Sequence, residues 1–426
     1  MSRPRPDDPD ALDREVEAGG APGHADPHRQ PGRADEAGRL GELAALFLKL
    51  GVIAFGGPAA HVAMLEDEVV ERRRWLSRQH FLDLIGATNL VPGPNSTEMT
   101  MHVGYERAGW RGLFVAGGCF ILPAVVITGV LAWLYVGYGA LPEVEPFLYG
   151  IKPAVLAVIL GALWKLGKKA VKGWRFAVLA AAVAAAVLLG VGEVWALLVG
   201  GLVGTVALRA SGWDSSTAAR LVPVLFLQRG AAAGAAAGAA AGAAAGVSLW
   251  KLFFFFLKVG SVLYGSGYVL VAFLEGGLVG DLGWMTQGQL LDAIAIGQFT
   301  PGPVLSTSTF VGYVVAAAAG LDPVAGAAAA TLGIFLPSFV FVWILNPLIP
   351  RLRRSAWLSA FLDAVNAAAV ALMAAVTVEL AVDTLVSWPA VAIAVVAAVA
   401  ALRFKANAVW LVLGGAVAGW LLAPWA

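Results

Sequence analysis

Charge is scarce in this chain, and cysteine scarcer still. Asp, Glu, Lys and Arg make up 13% of its 426 residues, against roughly 25% in soluble domains. The single cysteine, Cys119, excludes an internal disulfide framework and a thiolate metal cage. The five histidines, His24, His28, His61, His80 and His102, show no metal-ligand spacing. A net charge of +1 leaves no electrostatic footprint for nucleic acid. Residues 1–42 contain no apolar stretch of the kind a secretory signal needs. The sequence also lacks a phosphate-cradling GxxxxGK[ST] loop, an HExxH motif, clustered carboxylates and a nucleophile with a plausible base. A built-in ATP motor is therefore not expected, and a membrane-embedded enzyme, such as a lipid-processing one, finds no support. No cofactor and no metal are expected.

Apolar sequence is abundant instead, and it comes in long runs. Gly112–Gly139, Ala325–Pro347 and Leu358–Leu380 each reach the ~20 residues that cross a bilayer as a helix. Further apolar segments lie at about 43–65, 81–104, 149–167, 175–191 and 194–209, then at 247–275, 289–319, 388–402 and 407–424. The expected fold is an all-α polytopic membrane protein, of about ten crossings plus two hairpins. Residues 1–42 read as a disordered polar tail rich in Pro, Gly, Asp and Arg. Residues 43–209 form the first repeat, 210–246 a linker, and 247–426 the second repeat. The linker ends in four AAAG units, from Ala231 to Gly246. It reads as a connection between halves, with a GxxxG-like packing face as the alternative.

The two repeats share one register. FLKLG at 47–51 recurs as FLKVG at 256–260, an offset of 209. With that offset Phe55-Gly56-Gly57-Pro58 meets Tyr264-Gly265-Ser266-Gly267, Trp75 meets Trp284, Asp83 meets Asp292, and Pro92-Gly93-Pro94 meets Pro301-Gly302-Pro303. Basic residues suggest that the halves are inverted. Arg72-Arg73-Arg74, Arg78, Arg107, Arg111 and the stretch Lys165–Arg175 are basic, while the loop at 139–149 carries only Glu143 and Glu145. The second half reverses this: 275–289 has no Lys or Arg, and Arg351, Arg353 and Arg354 occupy the counterpart of the acidic loop. Basic loops stay in the cytoplasm, so equivalent loops face opposite sides. Inverted repeats with broken helices are a transporter architecture, with the site at the repeat interface.

The PGP segments are the strongest site candidates. Two prolines around a glycine break a helix, and broken backbone at membrane depth is tolerated where it lines a cavity. A helix starting after each PGP would direct its free N–H groups at an anion. The candidate substrate-binding residues are Gly56, Gly57, Pro58, Pro92, Gly93, Pro94, Asn95, Ser96 and Thr97 in the first half. In the second they are Gly265, Ser266, Gly267, Thr300, Pro301, Gly302 and Pro303. Lys49 and Lys258, equivalent lysines inside apolar segments, join them as a match for a dianion. Glu98 and His61 are the candidates for proton or charge coupling.

At these residues the chain resembles a known family. FLKLGVIAFGGPAAHVAML (47–65) and VPGPNSTEM (91–99), with weaker second-half copies, are similar to the chromate ion transporter family in its long, two-half form. The resemblance runs from about residue 43 to at least 380. It implies secondary export of chromate from the cytoplasm, by antiport or driven by the membrane potential, and chromate resistance. Sulfate is the related or competing anion, and sulfate uptake is the alternative reading. A multi-pass position in the cell inner membrane follows, with the lipid bilayer and a second copy of the chain as further candidate partners. The second half departs from the motif: Tyr264-Gly265-Ser266-Gly267 lacks the proline, and Val304-Leu305-Ser306 replaces Asn95-Ser96-Thr97.

Overall fold

Both glycine-rich interruptions in the first segment of each half are real breaks. The computed structural model describes residues 33–55, 57–89, 91–139, 141–209, 246–265, 267–346 and 355–422. In the first half, helix α1 (Arg33–Ile53) stops before Gly57, and α2 (Pro58–Glu66) restarts beyond it. In the second, α8 (Leu249–Val262) stops before Gly265, and a 3-10 turn at Gly267–Val269 leads into α9 (Leu270–Leu274). Gly57 and Gly265 have φ of 81° and 94°, in the left-handed region that glycine adopts without strain.

The shared register continues in three dimensions. A π-helical turn follows each short helix, at Asp67–Arg72 and at Glu275–Asp281. The Trp75 and Trp284 N–H groups donate to Val69 and Leu278 oxygens, both at 2.8 Å. Helix α3 (Arg78–Thr88) is capped by Ser77, whose hydroxyl accepts from the His80 N–H. Helix α10 (Gln287–Phe299) is capped by Thr286, which accepts from Gln289 in a full capping box. Each member of these pairs lies 209 residues from its partner, and both helices end at a PGP turn.

After each PGP turn comes a tight helical hairpin. Helix α4 (Asn95–Tyr138) is interrupted by non-helical geometry at Ala108 and Gly109. Its two limbs fold back, and a Cβ on Gly104 would lie 2.3 Å from the Gly112 oxygen. Along a straight helix those residues would be about 12 Å apart. In the second half α11 (Thr307–Ala318) and α12 (Pro323–Leu345) make the same hairpin, with Gly312 against Gly326. Asp322 caps α12 by accepting from Val324 and Ala325 N–H groups. The first helix of each half packs along the second limb through a glycine. A Cβ on Gly51 would lie 2.7 Å from the Phe120 oxygen, and one on Gly260 2.4 Å from that of Ile334. Small residues let helix backbones approach where lipid offers no hydrophobic drive to association.

The remaining helices are α5 (Glu145–Ala170), α6 (Trp174–Leu188), α7 (Glu193–Arg209), α13 (Ala356–Thr384), α14 (Trp388–Arg403) and α15 (Ala408–Leu422). The described residues thus form fifteen α-helices and no strand, an all-α polytopic membrane protein. Asn95–Tyr138, Glu145–Ala170, Pro323–Leu345 and Ala356–Thr384 are long and apolar enough to cross a bilayer. Apolar side chains such as Leu122, Val126, Val130 and Leu332 are exposed, as lipid-facing positions should be. Trp110, Trp164, Trp357 and Trp388 are exposed near helix ends, where indoles favour the membrane interface.

One expectation shifts. Helix α1 begins at Arg33, inside the stretch assigned to the polar tail. Tertiary ion pairs explain it: Arg111 holds Glu36 at 3.0 Å and Arg107 holds Glu42 at 2.9 Å. The rest of that tail, most of the linker with its AAAG units up to residue 245, Gly56, Ser266 and the arginines at 351, 353 and 354 lie outside the described residues.

Candidate functional site

Each PGP turn is stitched to the broken helix of the other half. The Gly93 N–H donates to the Leu263 oxygen, and the Gly302 N–H donates to the Ala54 oxygen, both at 2.8 Å. Donors and acceptors are each 209 residues apart, so the crossings are a symmetry-related pair. Gly93 and Gly302 have φ of 147° and 90°, and both are buried. A Cβ on Gly93 would lie 2.2 Å from a Glu98 oxygen and 2.3 Å from the Ser338 hydroxyl; one on Gly302 would lie 2.9 Å from Ala124. Backbone polar groups cannot be left unpaired at membrane depth. The two halves here satisfy each other's.

A cavity of about 1110 Å³ opens beside the crossings. Both broken segments line it, through Gly57, Pro58, Gly265 and Gly267. The PGP turns contribute Thr300, Gly302 and the first residues beyond each turn, Asn95 and Val304. The helix of the first half starts at Asn95, and the second half starts with a 3-10 turn at Val304. Two equivalent amides, Asn89 and Gln298, also face the cavity. Asn89 accepts from Asn95 at 3.0 Å, and the Gln298 amide nitrogen is buried without a partner. Helix starts and amides make a donor-rich wall suited to an anion, while the Thr300 hydroxyl donates to the Ile296 oxygen.

Positive charge comes from elsewhere than expected. Lys165, Lys169, Lys172 and Lys405 line the cavity, and all four are exposed residues that mark where it opens. Lys172 is bound to Asp363 at 2.6 Å. Lys49 and Lys258 are not among the lining residues. Lys49 is about half exposed and pairs with Glu68 at 2.7 Å; Lys258 is exposed and stands over the Phe255 ring. Arg72 and Arg73 complete the ion-pair cluster on Glu68.

Other predicted residues sit behind the cavity wall. Pro92, Pro94, Pro301 and Pro303 are buried in the turns themselves. Ser96 and Thr97 are buried, and His61 joins Ser96 to the first break through contacts to Ser96 Oγ at 3.2 Å and to the Ala54 oxygen at 3.0 Å. His61 also meets the Phe120 ring edge-on. Glu98 is fully buried beneath Gly93. No group of His, Cys, Asp and Glu among the described residues could hold a metal.

Two broken segments and residues flanking two PGP turns thus surround one cavity, and the sequence comparison names the family. The chromate transporter family model matches residues 41–205 and 250–420. The chain belongs to that family. It is 33% identical to the chromate transport protein of Pseudomonas aeruginosa over 398 residues, covering 90% of this chain and 92% of the relative. The chromate transport protein of Cupriavidus metallidurans is 30% identical, over 88% of this chain and 91% of the relative. A probable chromate transport protein of Synechococcus elongatus is also 30% identical, over 84% and 88%. No solved structure matches the chain significantly. Its curated relatives place this member of the family among transporters rather than enzymes.

For this chromate transporter family member, sequence reading missed three groups. Asn89 and Gln298 flank the PGP motifs and recur in the repeat, which was the available signal. The cavity lysines at 165, 169 and 172 stood in a stretch that reads as a topology determinant. Lys405 lies between α14 and α15, with a φ of 53°, and carries no local signal at all.

Proposed function

We propose that this chain exports chromate across the cytoplasmic membrane as a secondary transporter and so confers chromate resistance. One observation carries the reading: a single cavity is lined by both broken segments and by residues flanking both PGP turns, and opens past Lys165, Lys169 and Lys405. Chromate is a tetrahedral dianion and needs N–H and O–H donors with positive potential, not Cys or His ligands. Asn95, Asn89, Gln298 and the helix starts beyond both PGP turns supply donors. The glycines at 57, 265, 267 and 302 let backbone come close to the ion. The lysines raise the local anion concentration at the mouth.

The mouth faces the cytoplasm on this reading, since three of its lysines belong to the stretch that the charge rule retains inside. The present conformation is then the loading state. Rocking of one inverted half against the other would break one crossing environment and open the opposite side. A negative-inside membrane potential favours outward movement of a dianion by about 4.6 kcal/mol per 100 mV, or roughly three decades of gradient.

Uptake of radiolabelled chromate into everted vesicles tests this. Wild type should accumulate chromate above empty vesicles, excess sulfate should compete, and Gln298→Ala and Asn95→Ala should lower accumulation by about 10-fold at normal expression. No accumulation under any imposed gradient would sink chromate export. Accumulation of sulfate alone would replace it with sulfate transport.

A further inference from the structure

Glu98 and His102 are a pair of buried titratable groups that anion binding does not use. Both side chains are on the first limb of α4, one helical turn apart, and both are 0% exposed. Neither Glu98 oxygen has a hydrogen-bond partner of acceptable geometry, and His102 Nε2 has none either. His102 Nδ1 lies 2.9 Å from the Asn346 side-chain oxygen, at the half-exposed end of α12. One end of this row touches the Gly93 turn, and the other reaches the protein surface.

We propose that Glu98 and His102 form a proton relay that couples anion movement to proton movement, resting on the transport reading above. A carboxylate with at most one hydroxyl beside it and no cation is costly at such depth, so Glu98 is tolerated in this conformation as the neutral acid. On losing its proton it would need donors. The Ser338 hydroxyl, which shares the space under Gly93, can supply one; the backbone N–H groups of the PGP turn are further candidates, and the Gly93 N–H here serves Leu263 of the other half. Proton loss therefore competes with a crossing that joins the halves. The proton leaves the Glu98 oxygen and bonds to His102 Nε2, across one turn, by side-chain rotation or through a water. The imidazolium then releases its Nδ1 proton at the Asn346 end. Loading runs the same steps in reverse, and no electrons change hands.

The surroundings are consistent with this assignment. Near the pair stand the Ser338 hydroxyl, which shares the space under Gly93 with Glu98, the Tyr264 phenol, and His61, engaged by Ser96 and Ala54. Arg107 lies beyond, bound to Glu42 and stacked over Trp75. Beyond its PGP the second half is one residue shorter, so that Val103-Gly104-Tyr105 meets Val311-Gly312-Tyr313; Ser306 or Thr307 then stands in place of Glu98 and Phe310 in place of His102. The relay is confined to the first half.

Purified protein in liposomes with a lumenal pH dye decides the matter, using chromate as the anion. Two rates are read for each protein: chromate–chromate exchange and chromate uptake driven by a pH gradient. In wild type a chromate gradient should move protons. In Glu98→Gln and in His102→Phe, the latter copying the second half, the ratio of gradient-driven uptake to exchange should fall by about 10-fold or more. Wild-type exchange without proton movement overturns the relay, as does an unchanged ratio in both variants. Wild type without any chromate exchange removes the transport reading itself, and the relay with it.

Discussion

The two halves of this molecule have kept a backbone and divided the chemistry. Their breaks, π-helical turns, helix caps, PGP turns and glycine-packed hairpins coincide, and the Gly93–Leu263 and Gly302–Ala54 hydrogen bonds are equal at 2.8 Å. The side chains around those bonds differ. His61 and His102 of the first half correspond to Leu270 and Phe310 of the second, both buried and apolar. The second half keeps its buried acid elsewhere: Asp292 is 3% exposed and accepts from the Tyr135 hydroxyl at 2.9 Å. On the proposed mechanism, an exchange between two access states would constrain backbone geometry in both repeats. Binding and coupling need a given polar group only once. Each further buried polar group carries a desolvation cost, which favours losing the duplicate.

The comparison can be broken most severely at the crossings. Gly93→Val should cost about 3 kcal/mol or more, because the new side chain meets Glu98 and Ser338 in a left-handed backbone. Gly302→Val meets Ala124 less closely and should cost less. Thermal denaturation in detergent, with chromate exchange alongside, ranks them. Equal losses would mean that the polar packing under Gly93 adds nothing to the shared frame.

A middle-sized effect is expected at the mouth. Converting Lys165, Lys169 and Lys405 together to Gln should raise the KM for chromate by about 10-fold with little change in maximal rate, and should flatten the salt dependence of uptake. A fall in maximal rate at constant KM would instead place these lysines in the moving parts. The smallest effect is expected at Lys49. Lys49→Met removes one partner of Glu68, but Arg72 and Arg73 remain beside it. Stability should change by less than about 1 kcal/mol, and chromate exchange by about twofold at most. A large loss of exchange would restore Lys49 to the site that the sequence suggested.

Much of this was legible because proline and glycine act locally. Pro92-Gly93-Pro94 breaks a helix wherever it stands, and its copy 209 residues later reveals the repeat without any coordinates. Helix starts were less legible: Ser77 and Thr286 cap α3 and α10 a few residues before the apolar segments begin at 81 and 289. The start of α1 was not legible, because Glu36 and Glu42 find their arginines only across the fold. Lys49 and Lys258 illustrate the same limit from the other side. Both stood out as charges in apolar sequence, yet a helix has a lipid face, a packed face and an exposed face, and hydropathy along the chain does not say which one a lysine takes.

By itself, then, the sequence determined an all-helical membrane protein with two homologous halves and the places where their helices break, since apolar run length and Pro-Gly stereochemistry are properties of short segments. Only the tertiary structure decided which groups meet: Gly93 with Leu263, Asn89 and Gln298 on one wall, Lys405 with lysines some 240 residues before it, Glu98 under a glycine with no hydrogen-bond partner. Those meetings depend on helix rotation and on contacts between distant segments. No local preference encodes either.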